Sequence, residues 1–340
     1  MVLAMVDVIV QEPDLKDMVV RKLTSAGLPR EHALVVADVL VHADLRGVHS
    51  HGVLRTEHYV KRIRQGGVNP EPDFTFRPTG TVAGVFDGDD GMGHVVMKEA
   101  MNSAIALAKE YGIGVVGVVN SSHSGALSYF VQQAVGANMI GLAMTQTDKA
   151  VVPFGGATPY FGTNPIAYGF PAARHRPVIL DMATSSVAFG KVLHAREVGA
   201  AIPPDWGVDE LGRPCTDPHR VVALLPFAGP KGYGLAMVVD ILCGILTGSA
   251  FGPHIQPMYQ DYDKMRKLGH FVCAMDPGLF MERSDFLMRI DQMIDELHEV
   301  APAAGFDRVL VPGEPEQILH DERIKQGIPV PESLYRYLST

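Results

Sequence analysis

The chain has 340 residues, 47% of them hydrophobic and 20% charged, so it can bury a sizeable core, usually in two domains, and is not of the disordered class. Its net charge of −9 contains no block of like charges, which argues against nucleic acid and anionic membrane surfaces as partners. The three cysteines, Cys215, Cys243 and Cys273, have neither metal-ligand nor disulfide spacing, and a soluble cytoplasmic protein is expected.

Two helices are predicted near the N-terminus. The apolar periodicity places the first at about residues 13–26 and the second at residues 29–45, and a glycine follows each. The first ten residues are apolar but lack the basic segment and cleavage site of a signal peptide, so none is expected.

A third helix is predicted from residue 49 to residue 67, with Ser50 as its N-cap. His51, Arg55 and Tyr59 are spaced four apart and would project from one face of this helix. A guanidinium, a phenol and an imidazole near a helix N-terminus could bind a carboxylate. A solvated polar face, with Arg55 paired to a neighbouring acid, explains the pattern equally well.

Four histidines fall within seventeen residues, which raises the question of a metal site; they are His42, His49, His51 and His58. However, His49 and His51 are two apart, unlike the four-residue spacing of a helical zinc pair, and no nearby carboxylate completes a motif. A metal is therefore not expected.

Strands and helices alternate after the turn-rich segment 68–80, which predicts an α/β or α+β arrangement. A strand at 81–87, a helix at 94–111 and a strand at 114–119 lead to the next polar segment. The predicted domains are a helical N-terminal domain of residues 1–75 and an α/β dinucleotide-binding and catalytic domain of residues 76–280. The C-terminal helices, about residues 280–340, would pack back on the first.

A single histidine, His123, lies where the strand 114–119 gives way to a helix that Ser122 and Ser124 would open. An imidazole in such a loop is well placed to meet a ligand, because loops present functional groups on a rigid scaffold. A structural histidine is the alternative interpretation.

Gly112, Gly114 and Gly117 match the pattern GxGxxG. In a dinucleotide-binding loop these glycines follow a strand and open a helix, whereas here they follow a predicted helix and lie in a strand. The match is therefore interpreted as chance.

Asp181 ends a predicted strand and precedes a helix that threonine or serine would cap. The free amides of that helix could receive a phosphate, and Asp181 could orient an imidazole or act only as an N-cap. Lys231 opens another helix, where a cation is unfavourable unless an anion is near.

The remaining C-terminal elements complete the prediction. The apolar stretch 234–251 favours a buried core helix over a membrane span, which needs about 20 apolar residues. A strand is predicted at 270–274 and another leading into Pro312. An amphipathic helix is predicted at 284–300, with an inward face of Phe286, Ile290, Met293 and Leu297.

Several motifs, in this order, resemble the malate/L-lactate/sulfolactate dehydrogenase family: DLRGVHSHGVLR, SSHSGALSYFVQQA, VVPFGG, FGTNP, LDMATSSVAFGK and GPKGYGLAMVVDIL. The resemblance extends over about residues 12–337. It implies a non-Rossmann, mixed-sheet nicotinamide-binding domain beside a helical N-terminal domain, with NAD or NADP as cofactor and a homodimeric assembly.

The resemblance also implies roles for individual residues. His123 matches the proton-transferring histidine. The substrate side matches Ser50, His51, Arg55 and Tyr59, with Thr163 and Asn164 in a bordering loop. The cofactor side matches Thr147, Asp181, Met182, Ala183, Lys231, Gly313, Glu314 and Pro315.

The segments PPDWGVD, LLPFAGPKGYGL and PAAGF resemble those of family members that act on (S)-ureidoglycolate. This resemblance implies oxidation of (S)-ureidoglycolate to oxalurate, in purine (allantoin) degradation. Malate, lactate, sulfolactate or a diketo sugar acid is the alternative within the family. A metal-dependent hydrolase and a non-catalytic dinucleotide-binding module are the alternatives outside it.

Overall fold

The structure is a computed structural model that describes residues 7–340. In chain order the strands are β1 (Asp7–Val10), β2 (Thr75–Pro78), β3 (Ala83–Asp87), β4 (Ile113–Ser121), β5 (Ile140–Thr145), β6 (Ile166–Phe170), β7 (Val178–Met182), β8 (Gly207–Val208), β9 (Ala223–Leu224), β10 (Leu268–Met275) and β11 (Ile328–Pro331). The α-helices are α1 (Glu12–Ser25), α2 (Arg30–Leu45), α3 (Thr56–Arg64), α4 (Gly93–Tyr111), α5 (Ser128–Gly136), α6 (Phe189–Val198), α7 (Pro230–Asp240), α8 (Arg283–Glu299), α9 (Glu314–Gln326) and α10 (Glu332–Ser339).

A seven-stranded sheet forms the centre, in the order β2-β3-β4-β10-β5-β6-β7. Strands β3 and β4 are parallel and the other neighbours are antiparallel, so the expected mixed sheet is confirmed. Helices α4 and α5 cover one face, where Ala104 and Phe130 pack in one core with Val116. On the other face, Met144 packs with Val239 and Cys243 of the segment that begins with α7.

The two ends of the chain share a second core. Strand β1 pairs antiparallel with β11, and Leu15 and Leu40 of the first two helices pack in one cluster with Ile328 and Leu338. The predicted helices at residues 13–26 and 29–45 are confirmed as α1 and α2, within a residue of their predicted ends. The division into two domains stays a prediction.

The glycines that match GxGxxG follow a helix and lie in a strand, as predicted from the sequence. Gly112 ends α4 in a left-handed conformation, with φ of 86°, and Gly114 and Gly117 lie within β4. A side chain at Gly114 would collide with the carbonyl oxygen of Ala104 in α4. These glycines therefore allow helix and strand to pack closely, and they do not form a phosphate-binding loop.

The predicted single helix over 49–67 is wrong at its start. Two short 3₁₀ turns, His49–His51 and Val53–Arg55, precede α3, and the extended Gly52 separates them. The buried carboxylate of Asp44 causes this, because it accepts the Val53 amide at 2.7 Å and bonds His49 Nδ1 at 2.8 Å. Ser50 therefore lies inside a turn and caps no helix.

Two predicted helix starts and the role of Asp181 are also corrected. Helix α5 begins at Ser128, and the Ser122 hydroxyl instead accepts the Gly93 amide at 2.8 Å, at the start of α4. Helix α6 begins after Ala188 without a side-chain cap, so its expected Thr/Ser cap is wrong. The carboxylate of Asp181 accepts the Ser128 amide at 2.7 Å and so pairs a free amide at the start of α5. It was predicted to cap the helix that follows it in the chain, α6.

The C-terminal half differs from expectation in the faces it buries. In α8 the predicted Ile290 and Leu297 do pack inward, with the buried Ile294, whereas the predicted Met293 is 44% exposed. The buried Asp291 lies on the inward side, where it accepts the amides of Arg174 and His175. The segment before Pro312 is irregular rather than a strand.

The apolar stretch 234–251 is not a buried core helix. Helix α7 continues into a π-helical turn, Ile241–Ile245, and one face of this pair is open. Its exposed apolar side chains are Leu235, Met237, Val238, Ile241, Ile245 and Leu246. Within residues 7–340, no helix is long and apolar enough to cross a membrane.

Candidate active site

The ends of three central strands are tied together beneath the loop that carries His123. The fully buried imidazole of His270, in β10, bonds the Ser121 hydroxyl of β4 at 2.7 Å and the Thr145 hydroxyl of β5 at 2.6 Å. Burial lowers the pKa of His270 to about 3, so the ring stays neutral and both ring nitrogens keep hydroxyl partners. The loop that starts after Ser121 is therefore held on a fixed base.

His123 is oriented by a tyrosine from the N-terminal part of the chain. The Tyr59 hydroxyl lies 2.7 Å from His123 Nδ1, and the ring of His51 stacks beside His123 at 5.6 Å between centroids. His123 Nε2 makes no hydrogen bond to any other residue of the described chain, 7–340. When Nδ1–H donates to Tyr59, Nε2 carries the lone pair and can accept a proton.

The electrostatics keep this pair neutral. Burial, together with His51 and the positive charge of Arg55, holds the pKa of His123 well below its ordinary value. Burial also raises the pKa of Tyr59, so the phenol stays protonated. At neutral pH the site therefore presents an uncharged base beside an uncharged hydroxyl.

His51, Arg55 and Tyr59, predicted to share one face of a helix, do lie together near His123. They belong to two short turns and α3, however, and not to a single helix. Arg55 Nε donates to the Ser50 carbonyl at 2.6 Å, and its Nη1 donates to the hydroxyl of Tyr259. The expected alternative of a surface ion pair does not describe Arg55. Tyr59 contacts His123, and its expected contact with the substrate stays a prediction.

A cavity of about 500 Å³ opens beside this cluster. It is bordered by His51 and Gly125, which flank His123, and its size is in the range of cofactor sites. The expected residues that line it are Ser50, His51, Thr163, Asp181, Met182, Ala183, Gly313, Glu314 and Pro315. The side chains of Arg46 and Arg176 bring positive charge to its wall and can bind an anionic pyrophosphate, while the carboxylates of Asp181, Glu314 and Glu316 lie on the same wall.

Six expected site residues do not line this cavity: His123, Arg55, Tyr59, Thr147, Asn164 and Lys231. The first three belong to the cluster beside it. Thr147 and Asn164 hold each other, because the Thr147 amide donates to Asn164 Oδ1 at 3.2 Å, and the Thr163 amide donates to the Thr147 hydroxyl at 2.9 Å. Both residues therefore shape the loop that positions Thr163. Lys231 lies exposed at the start of α7.

Asp181 lines the cavity, and its carboxylate bonds the Ser128 amide and no imidazole. Of the two alternatives for Asp181, the structure therefore favours a cap at a helix start over an orienting group for an imidazole. The group that orients His123 is Tyr59, from a helix about sixty residues earlier. Sequence spacing identified Tyr59 as part of a polar face but contained no signal for the histidine it would meet.

Four further residues also belong to the site. Arg46 and Arg176 line the cavity, and Tyr259 and Arg266 reach the cluster from the segment before β10. Their partners lie far away in sequence, and no local pattern marks them. Among residues 7–340 no group of three or more metal-ligating side chains is found, and His49 is paired with Asp44.

The sequence model of the family described as malate/L-lactate dehydrogenase matches residues 10–339, so the chain belongs to the malate/L-lactate dehydrogenase family. It is 45% identical over 324 residues to ureidoglycolate dehydrogenase (NAD(+)) of Escherichia coli (strain K12), covering 95% of this chain and 93% of that one. It is 31% identical to (2R)-3-sulfolactate dehydrogenase (NADP(+)) of Chromohalobacter salexigens, covering 94% of each. The solved structure of sulfolactate dehydrogenase from Methanocaldococcus jannaschii superposes with a TM-score of 0.91 at 37% identity, covering 97% and 95% of the two chains.

Proposed function

We propose that this protein is an NAD-dependent 2-hydroxy acid dehydrogenase that oxidises (S)-ureidoglycolate to oxalurate. The observation that carries the proposal is the neutral imidazole of His123, held by Tyr59 at 2.7 Å with Nε2 unbonded, beside a cavity of about 500 Å³. The 45% identity to a relative named ureidoglycolate dehydrogenase (NAD(+)) supports the choice of substrate and of NAD.

In the proposed reaction, the guanidinium of Arg55 and the turn at Ser50 hold the substrate carboxylate. His123 Nε2 accepts the hydroxyl proton as the carbon–hydrogen bond breaks, and Tyr59 then accepts a stronger hydrogen bond from the charged imidazolium. NAD, when bound, supplies the acceptor for the hydride. Proton transfer by a positioned side chain of this kind contributes about 10²–10⁴-fold to the rate.

The cofactor is expected to lie along the cavity wall formed by Asp181, Met182 and Ala183 on one side and Gly313, Glu314 and Pro315 on the other. Arg46 and Arg176 supply positive charge for its phosphates. Cofactor contacts of Thr147 and Lys231 stay predictions from the family resemblance.

We also propose a homodimer in the cytoplasm. The open apolar face of α7 and the π-helical turn supports self-association, because contiguous exposed apolar surface usually marks an interface. Lys231 lies at one end of that face. The three free, buried cysteines are what a reducing compartment favours.

The test is the replacement His123→Ala, assayed by the absorbance of reduced nicotinamide with (S)-ureidoglycolate, malate, lactate and sulfolactate. We expect kcat to fall about 10²–10⁴-fold, because the general base is removed, while the affinity for NADH, measured by its fluorescence, changes less than about threefold. His194→Ala is the control, since His194 is exposed and its nearest charged partner is Glu197.

Near-normal turnover in His123→Ala would remove His123 from the mechanism. A wild-type protein that oxidises malate or lactate faster than (S)-ureidoglycolate would keep the class of reaction and change the substrate. Activity that disappears on chelation would point to a metal-dependent hydrolase.

A further inference from the structure

One buried arginine, Arg266, lies just before β10 and takes no part in the mechanism above. Strand β10 pairs Leu268 with Ser121 of β4, and Arg266 and His123 each lie two residues outside this pair. The charge of Arg266 acts on His123, and its side chain forms an ion pair with Asp148 in the loop after β5. Arg266 is therefore near both loops that border the site.

The hydrogen bonds of Arg266 leave one edge of the guanidinium unused. Its side chain is 1% exposed; Nη2 donates to Asp148 Oδ1 at 2.6 Å and to the Gln256 carbonyl at 3.1 Å, and Nε donates to the same carbonyl at 3.1 Å. Nη1 is buried and has no acceptor anywhere in residues 7–340. A buried charged donor without an acceptor is costly and rare in native proteins, so this edge calls for a partner.

The charge of Arg266 acts on the catalytic pair. It lowers the pKa of His123 and also opposes the rise in the pKa of Tyr59 that burial causes. Arg55, in the turn before α3, also lies near His123 and Tyr59, and its Nη1 donates to the Tyr259 hydroxyl. Two guanidinium groups therefore serve one site, whereas a simple 2-hydroxy acid has one carboxylate.

We propose that the Nη1 edge of Arg266 binds a second hydrogen-bond acceptor on the substrate. The site then selects 2-hydroxy acids whose hydroxyl-bearing carbon also carries a group with an acceptor oxygen, such as a ureido carbonyl, a carboxylate or a sulfonate. Acids with a plain alkyl group are disfavoured, because they leave a buried donor unpaired. This inference rests on the proposed function and names the part of the substrate that Arg266 would recognise.

The experiment compares Arg266→Met with the wild type on (S)-ureidoglycolate and on L-lactate, which lacks the second acceptor. L-lactate is measured as a substrate or, where its turnover is slow, as a competitive inhibitor. The expected result is a fall of roughly 10- to 100-fold in the preference for ureidoglycolate over lactate, the worth of one hydrogen bond to a charged group. The double variant Asp148→Asn/Arg266→Met is measured too, since it leaves no unpaired carboxylate.

Arg62→Met is the matched control. Arg62 is a second buried arginine, 3% exposed, and it donates to the carbonyls of Met258, Gln260 and Lys264 in the segment before β10. Its loss should loosen that segment and change both substrates by the same factor. If Arg266→Met does not fold, Arg266→Lys, which keeps a cation near Asp148 but loses the forked edge, is expected to shift the preference in the same direction.

A loss in Arg266→Met that is equal for both substrates would overturn the inference, as would a loss confined to NADH affinity. If only Arg266→Lys folds, an unchanged preference for ureidoglycolate over lactate in that variant would overturn it as well. These results differ from failure of the proposed function, which would appear as a wild-type protein that oxidises none of the hydroxy acids.

Discussion

The hydrogen bond between Tyr59 and His123 separates two roles for Tyr59. The family resemblance placed Tyr59 on the substrate side, whereas the structure joins its hydroxyl to His123 Nδ1 at 2.7 Å. The replacement Tyr59→Phe removes that oxygen and keeps the ring, which packs edge-on against His94 at 4.9 Å between centroids. The aromatic packing of this fully buried residue should therefore survive.

The size of the effect follows from the change in charge during the reaction. A hydrogen bond to a neutral imidazole contributes about 1 kcal/mol, and one to a charged group about 1.5–3 kcal/mol. Tyr59 therefore stabilises the imidazolium formed in the transition state more than the neutral ground state, by about 1–2 kcal/mol. Since about 1.4 kcal/mol is tenfold in rate, Tyr59→Phe should lower kcat about 5- to 30-fold, and more where the wrong tautomer of His123 becomes populated.

The assay is steady-state oxidation of (S)-ureidoglycolate and of the same substrate carrying deuterium at the hydroxyl-bearing carbon. The isotope effect shows that hydride transfer limits the measured rate. We expect the loss in kcat and a KM within about threefold of the wild-type value. Tyr129→Phe is the control, because Tyr129 lies on α5 and packs against His42, outside the cluster around His123.

The result that would refute this reasoning is a higher KM with kcat unchanged. That outcome would make Tyr59 a substrate-binding residue, as the resemblance implied. A kcat within twofold of wild type, together with a full isotope effect, would show that the hydrogen bond does not matter for proton transfer.

Three further predictions concern pH and packing. Burial lowers the pKa of His123, whose neutral ring is the proposed base. As the pH is lowered, kcat/KM for oxidation should therefore stay constant until the pH is below about 6.5, the ordinary pKa of histidine, and a decrease that begins above pH 7 would contradict this. Burial raises the pKa of Asp240 to about 6, so the stability contributed by its protonated form is present at pH 4 and lost as the pH rises through 6. The free energy of unfolding of Asp240→Asn, relative to that of wild type, should therefore rise by about 3 kcal/mol from pH 4 to pH 8, as measured by urea unfolding. A difference that stays constant with pH would refute this. Gly93→Ala should cost about 3 kcal/mol, since its Cβ would collide with the Ser122 carbonyl, and an unchanged unfolding midpoint would contradict the packing of α4 on the His123 loop.

Local patterns were sufficient where an element depends on its own residues. The periodicity of α1 and α2 and the run of β-branched residues in β4 placed those elements correctly, because each buries a face that repeats with helical or strand spacing. The glycines at 112, 114 and 117 were interpreted correctly for the same reason, since their order relative to helix and strand is a property of the local sequence.

The sequence by itself determined the family, the mixed α/β architecture and the presence of His123 at the end of a strand. Only the tertiary structure decided what that histidine meets, because hydrogen bonds such as those between Tyr59 and His123 and between Arg266 and Asp148 join residues 64 and 118 positions apart. The same holds for helix starts, where Asp44 holds the Val53 amide and Asp181 serves Ser128 across 53 residues. A side chain takes the nearest unpaired donor or acceptor in space, and that neighbour exists only after the chain has folded.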